Sequence, residues 1–248
     1  MPHARAHGRL PSVRALAIVH QRDAGPGVFA EAIEAMGVEL DRWHPAENAT
    51  PPPAPSRYGA VLTFGGAMHV DQEDRHPWLR IEKELLARLL ERGIPTLGVC
   101  LGSQLLAEAA GSAPRRLRAP EIGWCEVAVG ERGREDPLLG PLAPAFEAFQ
   151  WHSYEAPLPP GAVELARSPS CLQAYRIGDA TWGIQFHAEV SARDIETWID
   201  DYRSDEDAVR MGLDAEALRR RTREAIGDWN ELGRELCARF IESARARP

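Results

Sequence analysis

The 248-residue chain has little of what several protein classes require. Its four cysteines, Cys100, Cys125, Cys171 and Cys237, are widely scattered, with no CxxC pair and no histidine interleaved at zinc-finger spacing. A structural zinc site needs clustered thiolates and imidazoles, and a disulfide framework belongs to small cysteine-dense domains. Neither is expected here. The histidines are equally dispersed, and nothing calls for a metal or another cofactor. No apolar run approaches the roughly 20 residues that span a bilayer, so no membrane contact is expected. Positive charge is not in excess either: the formal net charge is −8. Phosphate backbones are held by concentrated Lys and Arg, so no nucleic-acid partner is expected. Residues 1–13 carry arginines, histidines and prolines but no apolar h-region, and read as a loose leader rather than a secretory signal. A reducing cytoplasm is the expected location. No internal repeat, low-complexity tract or P-loop is present.

What is there is an alternation of apolar strands and amphipathic helices. Ala15 to His20, Val38 to Trp43, Ala60 to Phe64 and Pro95 to Cys100 read as strands; Gly27 to Met36, Pro77 to Arg92 and Leu101 to Ala110 read as helices. Pro77 suits a first helical position, and the proline-rich stretch Pro51 to Pro55 is a loop. This alternation predicts an α/β fold with an open, mostly parallel sheet flanked by helices. The middle of the chain changes character. Trp124 to Val129, Phe146 to His152, Val163 to Arg167, Leu172 to Ile177 and Thr181 to Phe186 read as strands joined by turns. Ser191, with Asp194 three residues on, suits the N-cap of a helix, and Ser204 to Asp207 form a second acidic cap cluster. Ile226, Trp229, Leu232, Leu236 and Phe240 then make one apolar stripe on a charged helix. The expected division is a leader at 1–13, an α/β domain at 14–203 and a C-terminal helical extension at 204–248. The stripe is expected to pack on its own domain rather than on a partner, although a homo-oligomer stays open.

Two short runs carry chemistry. In Thr96-Leu97-Gly98-Val99-Cys100-Leu101-Gly102-Ser103-Gln104 a buried strand ends in a thiol between two glycines and restarts as a helix. The glycines permit a tight turn, and a helix N-terminus favours a thiolate. In Gly183-Ile184-Gln185-Phe186-His187-Ala188-Glu189 a histidine and a carboxylate follow a strand, and residues two apart on a strand point the same way. Buried cysteines are usually small hydrophobes, and a lone histidine says little. The combination is rarer, and it suggests a Cys-His-Glu hydrolytic site. Gly65-Gly66 and Cys100 both fall at strand C-termini, where open α/β sheets bind ligands.

With these motifs the chain resembles the class I, triad-type glutamine amidotransferases over about residues 14 to 200. Among them it is most similar to stand-alone proteins like the glutaminase domain of GMP synthase. The resemblance implies a flavodoxin-like architecture with Cys100 as nucleophile, His187 as base and Glu189 as third member of the triad. It implies an oxyanion hole from the backbone N–H groups of Gly66 and Leu101. Gly65, Gln104 and the segment Trp151-His152-Ser153 are implied in substrate binding, the last through its backbone, with the His152 side chain read as structural. Two departures stand out: Ala188 replaces the family's usual proline, and Tyr154-Glu155 replace a more usual glycine or aspartate. The implied activity is hydrolysis of the glutamine side-chain amide through a γ-glutamyl thioester, with ammonia passed to a separate synthetase. The alternative is a stand-alone γ-glutamyl hydrolase or peptidase using the same residues, and a further one is a non-catalytic regulatory subunit.

Overall fold

The computed structural model describes residues 14–52 and 55–247; the leader at 1–13 lies outside the described residues, as do Pro53 and Ala54 in the proline-rich loop. Nine strands form one open sheet. In chain order they are β1 (Arg14–Ile18), β2 (Glu39–Trp43), β3 (Ala60–Thr63), β4 (Thr96–Val99), β5 (Arg115–Val129), β6 (Ala145–Glu155), β7 (Val163–Arg167), β8 (Leu172–Ile177) and β9 (Thr181–Ile184). The helices are α1 (Gly27–Ala35), α2 (Trp78–Glu91), α3 (Leu101–Ala109), α4 (Glu131–Arg134), α5 (Ala192–Asp201), α6 (Glu206–Arg210) and α7 (Ala215–Arg245). The sheet order is β2-β1-β3-β4-β9-β8-β7-β5-β6. The first five strands in that order pair in parallel, and the remaining pairings are antiparallel. This is the α/β architecture the alternation predicts.

Strands β3, β4 and β9 are buried along their whole length, as strands covered by helices on both faces must be. On one face Val28, Phe29 and Ile33 of α1 meet Trp229, Leu236, Cys237 and Phe240 of α7 in a core that also takes in Trp182 and Phe186. On the other face Leu79, Leu85, Leu86 and Leu89 of α2 pack with Leu101, Leu105 and Leu106 of α3. The apolar stripe of α7 is thus spent on the chain's own core. The capping box at Ser191 and Asp194 forms as read, with each side chain bonded to the other's backbone N–H.

Two differences from the sequence reading bear on the site. β5 starts at Arg115, nine residues before the expected strand, because Arg115-Arg116-Leu117-Arg118-Ala119-Pro120 looks like a loop by composition. Its pairing with β6 breaks between Arg116 and Glu121, which absorbs the proline. β9 ends at Ile184 rather than Phe186. His187 and Glu189 therefore sit on the loop after the strand, and their common direction comes from that loop's packing, not from strand alternation.

Candidate active site

The chain leaves the sheet along one edge at the C-terminal ends of β1, β3, β4 and β9. β1 is flanked by β2 and β3, so successive crossovers diverge there and open a crevice. The result is a cleft of about 430 Å³ lined by segments from all four strand ends, including Gln21, Gly66, Cys100 and His187.

Cys100 occupies the junction of β4 and α3 with φ +51° and ψ −111°, and among the described residues it alone has a positive φ without being glycine. Such a conformation costs about 1–3 kcal/mol and persists because the surroundings impose it. The flanking glycines do not supply the turn dihedrals, which the thiol-bearing residue takes itself; they supply room. A Cβ on Gly98 would stand 2.7 Å from the Gly102 carbonyl oxygen, and one on Gly102 would run into the Thr63 carbonyl at 2.2 Å. Strand and helix can approach this closely only without those side chains.

His187 faces Cys100 from the loop after β9. Its Nδ1–H donates to Glu189 Oε1 at 2.8 Å, which leaves Nε2 available to the Cys100 thiol. The His187 side chain is 3 % exposed and that of Glu189 is 1 % exposed. Burial alone would lower the histidine's pKa, but the charge of Glu189 and the Cys100 sulfur outweigh it and push the imidazole up to about 10. The loop that carries His187 is held from the sheet and from α7. The His187 N–H donates to the Phe149 carbonyl at 2.9 Å, and the Trp229 indole Nε1–H donates to the His187 carbonyl at 2.8 Å. The edge of the ring meets Trp198, with centroids 4.9 Å apart. Ala188, where the family pattern has proline, is fully buried, so rigidity there comes from hydrogen bonds and packing instead of a ring.

Gly65 and Gly66 follow β3. A Cβ on Gly65 would approach His187 Cε1 to 2.9 Å, so glycine is required for the histidine to reach its place. Gly65 lies behind the cleft and is not part of its lining, whereas Gly66 and Leu101 are. Among the described residues, the N–H groups of Gly66 and Leu101 have no hydrogen-bond acceptor, a rare state for a donor in a residue as buried as Leu101. Gln104, one turn into α3, donates its side-chain amide to the Tyr154 carbonyl and to Gln185 Oε1, each at 3.0 Å. Its own carbonyl oxygen is left for the cleft. Trp151, His152 and Ser153 line the cleft from β6, and Ser153 lies opposite the break in the β5–β6 ladder, where it has no register partner.

A whole wall of the cleft was invisible in the sequence reading. Asp201 to Asp207, from the last residue of α5 to the first turn of α6, close the side facing Trp151. The Trp151 indole donates to Asp205 Oδ2 at 2.9 Å, while Ser153 Oγ and Arg116 both donate to Asp207. Tyr154 stacks on His69 with centroids 4.2 Å apart. An acidic cap cluster is an ordinary helix start, and nothing local marks this one as a cleft wall.

Glu121, His152 and Cys171 bring their polar atoms within 4.8 Å of one another behind the cleft. These are metal-ligand types, but their atoms serve each other: His152 Nε2 and Gln173 Nε2 bond to Glu121 Oε2 at 3.1 and 2.7 Å, and the Cys171 thiol donates to the same oxygen. Burial would raise the Glu121 pKa, yet hydrogen bonds led by His152 bring it down to about 2. Burial pushes the Cys171 thiol far up. The cluster fixes His152 in place, with Nδ1 bonded to the Tyr154 carbonyl at 2.9 Å. A thiol so buried and so weakly acidic is no nucleophile.

The family model for class I glutamine amidotransferases matches residues 29–200. The chain is 26% identical over 183 residues to a putative glutamine amidotransferase-like protein of Salmonella typhimurium, covering 72% of this chain and 77% of that one. It is 33% identical over 164 residues to one of the subunits of the glutamine-hydrolysing GMP synthase of Haloarcula marismortui, covering 64% of this chain and 77% of that one. Among solved structures, a glutamine amidotransferase from Thermotoga maritima superposes with a TM-score of 0.84 at 28% identity, over 93% of this chain and 99% of that one.

Proposed function

The chain belongs to the class I glutamine amidotransferases, and on that premise we propose that it hydrolyses the side-chain amide of glutamine through a γ-glutamyl thioester on Cys100. The observation that carries this is the buried His187, hydrogen-bonded to Glu189 and standing beside Cys100, a strained thiol at a helix N-terminus. The Cys100 sulfur, as thiolate, attacks the amide carbon, and the carbonyl oxygen becomes an oxyanion. The free N–H groups of Gly66 and Leu101 receive that charge; a single such donor is worth about 100- to 1000-fold in turnover in a well-studied protease. His187 gives its proton to the departing ammonia, then takes one from the water that cleaves the thioester. Glu189 keeps the imidazole in one tautomer and stabilises its charged form. Gln104 and the Trp151–Ser153 backbone orient the amino-acid end of the substrate.

The relatives named as subunits of a GMP synthase support a division of labour in which the ammonia goes to a separate synthetase. A second reading, hydrolysis of a larger γ-glutamyl compound, is favoured by the extent of the cleft, which runs on from Cys100 to the wall at Asp201–Asp207. Ammonia release from glutamine by wild type and Cys100→Ala, with γ-glutamyl peptides in parallel, tests both. Release from glutamine that falls to background in the variant is the expected result. Activity on peptides alone would move the assignment to a γ-glutamyl hydrolase, and inactivity on every substrate, with and without a synthetase, would leave a non-catalytic role.

A further inference from the structure

His20, just beyond the end of β1, is 3 % exposed and lines no part of the cleft. Its ring is nevertheless fully engaged. Nδ1 bonds to the Gly65 carbonyl oxygen at 3.0 Å, and Nε2 bonds to Glu82 Oε2 at 2.8 Å. Glu82, on α2 and wholly buried, accepts on its other oxygen from Thr63 Oγ1 at 2.7 Å. The imidazole also stacks on Trp78, with centroids 5.3 Å apart and planes within 13°. Burial works against a charged ring, but the Glu82 carboxylate and the Gly65 carbonyl together hold the His20 pKa above its ordinary value. A buried histidine–carboxylate pair is expensive to build on desolvation grounds. Here both of its ends terminate on the segment that leads into Gly66.

The Gly65 carbonyl and the Gly66 N–H belong to one peptide unit. In a trans peptide these two groups point in opposite directions. A carbonyl tied back to His20 therefore turns the Gly66 N–H forward, into the cleft. The next N–H along, that of Ala67, is already taken by Gln21 Oε1 at 2.7 Å. The segment after β1 thus clamps the turn on both sides and leaves one donor free between the clamps. The same packing keeps residue 66 a glycine, since a Cβ there would meet Met68 Sδ at 2.9 Å and His20 Cβ at 3.1 Å. Glycine at 65 and 66 would otherwise make this peptide the easiest in the cleft to flip.

We propose that His20, held by Glu82, is a positioning residue that fixes the Gly65–Gly66 peptide with its N–H toward the oxyanion. The proposal rests on the function proposed above, in which Gly66 is an oxyanion donor. His20→Phe keeps the stacking on Trp78 and removes both hydrogen bonds, and His20→Asn restores a donor near the Nδ1 position. His20→Phe is expected to lower kcat for ammonia release by about 10- to 100-fold, part of the cost of losing one oxyanion donor. KM should change little, and so should the rate of Cys100 alkylation by iodoacetamide, a displacement that creates no oxyanion. His20→Asn should recover most of the lost turnover. An unchanged kcat in His20→Phe would overturn the proposal. So would kcat and alkylation falling together without recovery in His20→Asn, since that pattern marks general disruption. Should wild type turn over no γ-glutamyl amide at all, the proposed function falls separately. The crystal structure of His20→Phe then decides: a flipped Gly65–Gly66 peptide sustains the positioning role, and an unmoved one overturns it.

Discussion

A methyl group added at Gly65 would stand 2.9 Å from His187 Cε1 and 3.7 Å from Cys100 Cβ, the two residues whose separation matters most. Gly65→Ala is therefore expected to displace the imidazole rather than unfold the chain. A misplacement of about 1 Å can cost about 100-fold in rate. A loss of that order in kcat, with a urea midpoint close to wild type, is the expected outcome; unaltered turnover would show that His187 has room the structure does not give it. Residues of this kind were partly legible. Cys100, His187 and Glu189 could be named because each stands in a short run whose neighbours are unusual, and Gly66 and Gln104 through the family resemblance those runs carry. The roles of Gly98 and Gly102 were legible only as a tight turn, because the contacts that demand glycine, with the Gly102 and Thr63 carbonyls, join atoms that no pattern of neighbours reveals.

At the scale of elements, α7 is the clearest case of packing that serves a distant residue. The second of its two glycines, Gly233, lets the helix lie against the His187–Val190 loop: a Cβ there would run into the Ala188 carbonyl oxygen. From the same face the Trp229 indole donates to the His187 carbonyl, and Asn230 donates to the Val190 carbonyl at 2.7 Å. Trp229→Phe preserves most of the apolar contact and leaves a buried carbonyl without its partner, a loss of about 1–3 kcal/mol. A loss of that size in the free energy of urea unfolding together with reduced kcat is expected, since the loop also carries the imidazole. Loss of stability with unchanged kcat would separate the helix from the site. The stripe Ile226, Trp229, Leu232, Leu236 and Phe240 was visible as periodicity, and so was the cap at Ser191. The strand at Arg115–Glu121 was not, because its register with β6 overrides a composition of arginines and proline.

For the molecule as a whole, the buried ionisable groups set opposite limits on pH. The His187 pKa rises from 6.5 to about 10 on folding, so between those values the native state binds more protons than the unfolded one. Its contribution is complete below pH 6.5 and is lost as pH climbs to about 10, and His20, also raised, adds in the same sense. Glu121 falls from 4.5 to about 2, so its contribution is complete above pH 4.5 and is lost as pH drops toward 2. Urea unfolding across pH should trace a plateau with two falling flanks. Glu189→Gln removes the charge that raises His187 and should flatten the alkaline flank, while Glu121→Gln should flatten the acid one. Flanks that keep their slopes in these variants would assign the linkage to other groups.

The sequence by itself determined the alternation of strands and helices, the open α/β sheet, and the position of the nucleophile-like and base-like residues at strand ends. These follow from periodicity and from turn residues a few positions apart, which act locally and before any packing occurs. Only the tertiary structure decided that His187 and Glu189 stand on a loop, that Asp201–Asp207 wall the cleft, and that His20, held by Glu82, bonds the Gly65 carbonyl. Each of these is a contact between residues tens of positions apart, such as Trp229 and His187 or His20 and Glu82. Such contacts exist because the sheet order brings the ends of β1, β3, β4 and β9 to one edge, and no stretch of neighbouring residues carries that order.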